Sequence, residues 1–350
     1  MSNRKGNTSL SGAITYRTGN WKKNLSQKKN NFSFFDFPLP DNTGISGALK
    51  DAFPGESGSL TVTPTRDLNV YYHCSINWLF ARVFALEEYS LEAGLLDDIS
   101  MGLLYHKILE QLFGKIKNED NVFNSGRLEI YKKWALEITG AVIKQEPAFK
   151  GPLAEPLVFP QSTGIAKKIK RLLELELKFF DGCKVAELEY IVTLKTDELL
   201  IKGVIDRILI TPDGEPVIID YKTTYLPEQT DMEDLPGSYL SEFQMPLYIK
   251  LYEEQTAAGT GNGFPKVQGA YFYSINGKRI KTVMGKTAGG RNKTPNRDEY
   301  QHILEAAQEQ INYFAQNVKK LNFVPHEIRV KDCLGCVYKT VCRSVYFIGG

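Results

Sequence analysis

Apolar positions are concentrated over residues 199–223, where two β-branched runs, broken at a few places by charges, are joined by a Pro-Asp-Gly turn. Such a turn suits a three-residue hairpin loop closed by a glycine in the left-handed region. With residues 212–214 as the loop, Thr211 faces Glu215 across the hairpin. The stretch therefore predicts two adjacent antiparallel strands with a defined register.

This register brings charged residues together on one face of the hairpin. Asp206 falls opposite Asp220, and Lys222, two residues further on, shares the face of Asp220. Directly opposed residues have Cβ atoms about 4.5–5.5 Å apart, so the two carboxylates repel each other and favour a bound cation. Mg²⁺ is commonly held by one or two carboxylates with phosphate and water, and the lysine could steady an attacking water or a developing charge. The alternative interpretation is a solvated ion pair without a metal.

Periodicity along the rest of the chain predicts helices on both sides of a set of strands. Strands are expected over Ala186–Leu194 and Val267–Ser274. Helices are expected over residues 65–84, 101–115, 126–146, 162–180, 241–254 and 297–320. This mixture of elements indicates an α/β fold.

Polar residues within these helices are the next candidates for chemistry. His106 lies in the helix predicted for residues 101–115, although a lone histidine on a helix is more often structural. Gln244 and Tyr248 are four residues apart and share a helix face. The plain interpretation is that Gln244 closes a capping box opened by Ser241 and that Tyr248 packs. Pro246 suggests a bend or a late start of this helix.

Composition bounds the class of protein. The 350 residues are 42% hydrophobic, with a formal net charge of +2 that gives no global indication of nucleic-acid binding. No apolar run is long enough to span a bilayer, and the N-terminus lacks the apolar core of a secretory signal. A cytoplasmic protein without membrane contact is therefore expected. Residues 1–60 are polar and basic and are expected to form a loosely structured arm before a domain over residues 61–350, with a helical insertion at about 85–182.

Basic residues concentrate between Asn276 and Arg297, where there is no acidic residue. A flexible basic loop beside an acidic site is a plausible contact to a phosphate backbone, although it could equally be solvated. The candidate DNA-contacting residues are Lys278, Arg279, Lys281, Lys286, Arg291 and Lys293.

Cysteines cluster near the C-terminus, in residues 333–342. Cys333, Cys336 and Cys342 have C-x₂-C-x₅-C spacing, which lets neighbouring thiolates converge on one centre. Three thiolates are one short of the usual four for zinc or an iron–sulfur cluster, and Cys74 can supply the fourth. Zinc and a [4Fe–4S] cluster are comparable by chemistry alone, and His73 or His326 could replace Cys74 in a zinc site.

Taken together, these motifs resemble the RecB-type nuclease domains of the PD-(D/E)XK superfamily, and most closely the iron–sulfur-containing kind found at the C-terminus of AddB. The similarity covers about residues 61–346. The corresponding motifs are a histidine motif at residues 102–109, Gly-x-Ile-Asp-Arg at Gly203–Arg207, Asp-Tyr-Lys at Asp220–Lys222, Gln-x-x-x-Tyr at Gln244–Tyr248 and the four cysteines. Ser75 stands where the family often has proline after the first cysteine.

The resemblance implies a restriction-endonuclease-like mixed central β-sheet flanked by helices, with the N- and C-terminal parts joined by a cysteine-bound [4Fe–4S] staple. It implies that His106, Asp206, Asp220 and the main-chain carbonyl of Tyr221 hold Mg²⁺ or Mn²⁺. Lys222 would position the attacking water, and Gln244 and Tyr248 would orient the DNA strand or the site.

The expected function is thus metal-dependent cleavage of DNA, as an exonuclease in repair or recombination, with a helicase subunit as a possible partner. A non-catalytic DNA-end-binding subunit of a helicase–nuclease complex is the alternative. The intact set of catalytic residues argues against that alternative.

Overall fold

The mixed sheet that organises this chain is built from six strands, in a computed structural model that describes residues 43–52, 60–86, 96–151, 155–196, 199–228, 239–260, 266–286, 294–323 and 330–342. Its strands are β1 (Leu60–Val62), β2 (Lys184–Lys195), β3 (Leu199–Ile210), β4 (Pro216–Lys222), β5 (Gly269–Ser274) and β6 (Arg279–Met284). The order is β1-β3-β4-β5-β6, with β2 also paired to β3. Pairs β1–β3 and β4–β5 are parallel, and β2–β3, β3–β4 and β5–β6 are antiparallel.

The β3–β4 hairpin confirms the predicted register. Arg207 pairs with Ile219 and Ile210 with Pro216, so the same count places Asp206 opposite Asp220. The Thr211 N–H donates to the Glu215 carbonyl at 2.9 Å. Gly214 closes the turn with φ +84°, the left-handed conformation that the turn sequence demands.

Helices cover both faces of the sheet, which confirms the predicted α/β class. They are α1 (Thr43–Ala52), α2 (Val70–His73), α3 (Ser75–Trp78), α4 (Asp98–Glu119), α5 (Leu128–Gln145), α6 (Glu155–Phe180), α7 (Gln244–Thr260), α8 (Gln301–Lys319), α9 (Val330–Gly335) and α10 (Lys339–Cys342). One hydrophobic core joins α4, α5 and α6 to one face. The other packs α7, α8 and the helices around Cys74 on the opposite face.

Several elements differ from the sequence expectation. The helical stretch at residues 64–83 is interrupted at Cys74, which is extended at φ −160° and ψ 112°, so a single continuous helix was wrong. Helix α6 begins at Glu155, seven residues before the expected start at residue 162, and it continues through Pro160. Part of the predicted basic loop is strand β6, whose Val283 and Met284 are buried.

Part of the expected N-terminal arm has a definite structure. Helix α1 lies within it, and Ile45 is buried against the aromatic core on the α7 side. Residues 1–42 and 53–59 lie outside the described residues, so the arm and the domain boundaries stay predictions. Within the described ranges no helix has the length and apolar character needed to cross a membrane.

A local irregularity sets up the site where β2 and β3 pair. Leu188 packs with the α4 core, whereas Tyr190, two residues later, packs with the opposite core, although residues two apart normally share a strand face. Between them, Glu189 has φ +46°. Across the ladder, Leu188 pairs with Arg207 and Tyr190 with Ile205. The strands therefore change faces at the positions of Glu189 and Asp206.

Candidate metal centre

Three side chains converge where helix α4 crosses this irregularity. His106 Nδ1 lies 3.3 Å from Asp206 Oδ1 and 3.9 Å from Glu189 Oε1. All three offer ligand atoms within 4.8 Å of one another. Asp206 is 8% exposed, whereas His106 and Glu189 are partly exposed. The arrangement is a donor set open to solvent on one side.

Asp220 borders this group and is held by residues of α7 and β4. Gln244 Nε2 donates to Asp220 Oδ1 at 2.6 Å and to the Tyr248 hydroxyl at 3.0 Å. Lys222 donates to Gln244 Oε1, and its Nζ lies 2.8 Å from Asp220 Oδ2. Gln244 is therefore hydrogen-bonded to both charged residues of the Asp-x-Lys motif, Asp220 and Lys222.

The start of α7 explains how Gln244 reaches the sheet. Its N–H is capped by Glu242 Oε1 at 2.7 Å, so its side chain is not used in the capping box expected with Ser241. Tyr248 is placed by Gly203, where an added Cβ would lie 2.6 Å from Tyr248 Cε1. The Gln244 side chain thus bonds to Asp220 and Lys222, whereas Tyr248 packs in the core as the plain interpretation expects and also accepts a hydrogen bond from Gln244.

The charges of the site are strongly coupled. Burial raises the pKa of Asp220 to about 7, an effect that the nearby Lys222 ammonium opposes and Asp206 reinforces. Burial lowers the pKa of His106, but hydrogen bonds to Asp206 and Glu189 outweigh it and raise the pKa to about 10. A proton on His106 thus supplies positive charge among these carboxylates.

The donor chemistry fits a hard divalent cation. Carboxylate oxygens are the ligands that Mg²⁺ prefers, and imidazole suits Mn²⁺ and related ions. Asp220 Oδ2 is buried, and the Lys222 ammonium at 2.8 Å is the partner that the described residues give it. It therefore keeps lone pairs available for a ligand. Asp220 lies outside the tight group formed by His106, Glu189 and Asp206.

The sequence of the chain matches the model of a known protein family. The model of the PD-(D/E)XK nuclease superfamily matches residues 61–343, most of the chain. The chain belongs to this superfamily. That assignment confirms the nuclease family expected from the motifs, and nucleases of this superfamily typically use divalent metals. The RecB/AddB type stays a prediction.

Other comparisons cover less or are more distant. An uncharacterized protein of Treponema pallidum (strain Nichols) is 32% identical over 87 residues, which are 25% of this chain and 11% of that protein. The chain thus matches only a small part of that relative's length. A crystal structure of a "Putative exonuclease" from Eubacterium rectale is 14% identical, with a TM-score of 0.37, and the match covers 80% of this chain and 88% of that one.

A buried ion pair lies behind the candidate metal centre. Arg207 and Glu176 are both fully buried and bonded to each other. The Tyr221 hydroxyl donates to the other Glu176 oxygen at 3.2 Å, and the Tyr221 N–H donates to Asp206 Oδ2 at 2.6 Å. The Arg207 guanidinium lies 3.6 Å from the centroid of the Phe113 ring. These contacts tie α6 to the two strands that carry Asp206 and Asp220.

The four candidate cysteine ligands lie at one end of the molecule without forming a compact ligand set. The pKa of Cys74 is raised to about 11, mainly by burial and to a smaller extent by nearby Cys342 and Cys333. Tyr338 docks the C-terminal turns by donating to the Leu86 carbonyl at 2.7 Å. Yet no three of these thiols, all in described segments, lie within 4.8 Å of one another. The structure therefore brings Cys333 and Cys342 near Cys74, and a metal cluster bound by the four cysteines stays a prediction.

The candidate DNA-contacting residues fall in different places. Lys278 and Arg279 lie at the β5–β6 turn, and Arg279 pairs with Ser274, which pairs with Lys222. Lys281 donates to the Pro227 carbonyl, and the Lys286 carbonyl accepts from Tyr271. Arg291 and Lys293 lie outside the described residues.

Sequence reasoning missed Glu189 and Glu176. Glu189 lies in the predicted strand Ala186–Leu194 without a chemical motif of its own, and only the pairing of β2 with β3 places it opposite Asp206. Glu176 sits in an amphipathic helix, where a single acidic residue gives no local signal that it is buried. Its only sequence clue was the need of Arg207, in a strand core, for an anionic partner.

Proposed function

We propose that the protein is a Mg²⁺- or Mn²⁺-dependent deoxyribonuclease that hydrolyses phosphodiester bonds. The observation that carries the proposal is the convergence of His106, Glu189 and Asp206 beside Asp220 and Lys222. Membership of a nuclease superfamily supports it.

Each residue has a role that follows from its position. His106, Asp206 and Asp220, with the Tyr221 main-chain carbonyl and Glu189, would hold the cation. When bound, it polarises a phosphoryl oxygen and lowers the pKa of a bound water. Lys222 orients the attacking water and balances the charge that develops on the phosphate. Gln244 and Tyr248 fix the side chains of Asp220 and Lys222.

Digestion of end-labelled linear DNA by wild type and Asp220→Asn tests this function. We expect cleavage that requires Mg²⁺ or Mn²⁺ and falls at least 100-fold in Asp220→Asn, because removing one stabilising group commonly costs about 10²–10³ in rate. Asp213→Asn is the matched control, since Asp213 is exposed in the turn of the same hairpin. It should cleave like wild type.

The outcomes separate the two candidate functions. Equal activity of wild type and Asp220→Asn would contradict the proposed site. DNA binding without cleavage under every metal tried would instead support a non-catalytic DNA-end-binding subunit.

We further propose that Cys74, Cys333, Cys336 and Cys342 hold a [4Fe–4S] cluster that joins the two ends of the domain. Their shared location supports this idea. A tetrahedral zinc ion with Zn–S bonds of about 2.3 Å would require four thiolates about 3.8 Å apart, whereas no three of these thiols in the described chain lie within 4.8 Å of one another. A larger cluster is compatible with wider spacing.

Iron and sulfide analysis of anaerobically purified protein tests the cluster. We expect a brown protein with iron and sulfide, and loss of both in Cys336→Ser. Cys183→Ala is the matched control, because Cys183 is buried in the α4 core away from this group. A colourless wild type with one bound zinc would identify zinc as the occupant.

The setting that we propose is end processing in DNA repair or recombination, in the cytoplasm and with a helicase subunit as partner. An exonuclease should degrade linear duplexes and spare closed circles. Comparable cleavage of circular DNA would point to an endonuclease.

A further inference from the structure

Lys168 of helix α6 is a half-buried cation with uncharged partners. Its Nζ donates to the Tyr105 hydroxyl at 3.0 Å and to Asn276 Oδ1 at 2.7 Å, and it lies 5.7 Å from the centroid of the Tyr105 ring. Within the described ranges it forms no ion pair with a carboxylate. Its ammonium therefore keeps a full positive charge that nothing nearby in this part of the chain neutralises.

Three other sheltered cations of the described chain are paired with carboxylates, whereas half-buried Lys115 lies over the Trp134 ring instead. Arg207 pairs with Glu176, Lys222 with Asp220 and Arg297 with Glu253. Partly buried charges are normally compensated in this way, because removing them from water is costly. Lys168 has no such carboxylate partner among the described residues, so its charge is available to an anionic ligand.

The hydrogen bonds around Lys168 connect it, through Tyr105 and Asn276, to segments that carry residues of the candidate metal centre. Asn276 N–H donates to the Thr223 carbonyl at 2.8 Å, one residue beyond Lys222. The Asn276 side chain also donates to Thr224 Oγ1 at 2.8 Å. On the other side, Tyr105 directly precedes His106 in α4. Lys168 is thus held by residues that adjoin catalytic candidates on two elements.

Further cations continue from this point along the end of the sheet. Lys222, Ser274 and Arg279 occupy neighbouring positions on β4, β5 and β6. With about 4.8 Å between adjacent strands, the Arg279 backbone lies about 10 Å from that of Lys222. Lys278 precedes it at φ +51° in the turn and is exposed. Lys168 is joined to this basic turn by its hydrogen bond to Asn276, two residues before Lys278.

We propose that Lys168, positioned by Tyr105 and Asn276, binds a backbone phosphate of the nucleic acid adjacent to the phosphate that is cleaved. The inference rests on the proposed function and adds a subsite to it. The neutral hydrogen-bond acceptors hold the ammonium in place without cancelling its charge. The strand then continues toward Lys278 and Arg279.

Binding of a labelled single-stranded oligonucleotide in EDTA tests the subsite independently of cleavage. We expect Lys168→Met to weaken binding about tenfold, as for the loss of one charge-assisted hydrogen bond. The slope of log K against log salt should fall by about 0.7, the value for one phosphate contact on a single strand. In cleavage assays KM should rise while kcat is retained.

Two variants on the same helix serve as controls. Lys167→Met removes the charge of the exposed neighbouring lysine and should change the affinity less than twofold. Lys168→Arg keeps a cation and should retain most of the affinity and the salt slope. Inorganic phosphate at the concentration of the oligonucleotide should not displace it, and displacement would indicate a site for free anions and overturn the proposal.

Two further outcomes would contradict the phosphate-binding role of Lys168, and a third would contradict only the nuclease function. A wild-type Kd and salt slope in Lys168→Met would overturn the proposal. A lowered Tm with an unchanged slope would mean that Lys168 only links α4, α6 and the β5–β6 turn. A wild type that binds with the Lys168-dependent slope but never cleaves would contradict the proposed nuclease and leave the subsite standing.

Discussion

Glu189 illustrates how one residue shapes the metal centre. Its left-handed backbone, φ +46°, is uncommon for a residue other than glycine and costs about 1–3 kcal/mol. The surrounding β2–β3 ladder sustains this conformation on both sides. The result is that a carboxylate of β2 points to His106 rather than away from it.

Glu189→Gln should therefore weaken cation binding without unfolding the protein. Replacing the carboxylate by an amide keeps the shape and removes a charged ligand, so we expect the Mn²⁺ affinity to fall about tenfold or more. Titration with Mn²⁺ measures it. Glu187→Gln, on the same strand but paired with Lys117 at the surface, is the control, and an equal loss there would contradict a ligand role for Glu189.

Gly203 is a second position where one substitution should affect both stability and activity, because this residue faces the Tyr248 ring. In Gly203→Ala the added Cβ would meet Tyr248 Cε1 at 2.6 Å and Val192 Cγ2 at 3.3 Å. We expect a loss of about 1–3 kcal/mol in unfolding free energy from overpacking, measured by urea denaturation, together with lower nuclease activity as Tyr248 shifts Gln244.

Gly140 of helix α5 is the contrasting control. A Cβ there would meet nothing within 4 Å, so Gly140→Ala should stabilise the protein by about 0.5–1 kcal/mol. Similar stability of the two alanine variants would show that the Tyr248 contact is not as tight as described.

At the scale of elements, the Glu176–Arg207 pair locks α6 to the strands of the site. Glu176→Gln leaves Arg207 with an uncompensated buried charge, and breaking such a pair costs about 3–5 kcal/mol. We expect a corresponding drop in unfolding free energy, measured in urea. The Mn²⁺ affinity should also fall, because Arg207 and the Tyr221 hydroxyl bond to different Glu176 oxygens and the amide keeps only one of them.

A double variant separates stability from positioning. Glu176→Leu with Arg207→Met replaces the pair by apolar side chains, an exchange that is often neutral or stabilising. We expect its stability to exceed that of Glu176→Gln while its Mn²⁺ affinity stays low. Full recovery of metal binding would mean that the pair contributes only stability.

For the whole molecule, the central sheet divides two hydrophobic cores. Ile218 of β4 is fully buried in the core that contains α7 and α8, whereas its neighbours Val217 and Ile219 belong to the α4 core. β4 is therefore apolar on both faces, as expected for a strand covered by helices on each side. Disturbing either core reaches the strand that carries Asp220.

Ile218→Ala should lower the unfolding free energy by about 2–5 kcal/mol, the range for large-to-small changes in a core. Ile191→Ala is the control, since Ile191 is 62% exposed and should change stability by less than about 0.5 kcal/mol. Denaturant unfolding measures both. Equal losses would contradict the burial of β4 between the two cores.

Prediction from sequence succeeded where the information is local. The Pro-Asp-Gly turn and the length of its loop determined the hairpin register, and Gly214 adopts the left-handed conformation that the turn required. Short-range sterics decide both features, so they can be read from neighbouring residues. The break at Cys74 and the strand β6 had no comparably strong local signal.

By itself, the sequence determined the hairpin and the candidates Asp206, Asp220 and Lys222. Only the tertiary structure decided that Glu189 joins His106, that Gln244 binds Asp220 instead of capping its helix, and that Lys168 lies beside the β5–β6 turn. Those contacts join residues from separate elements. Their geometry depends on how helices pack on the sheet and where strands change faces, which no local pattern of residues specifies.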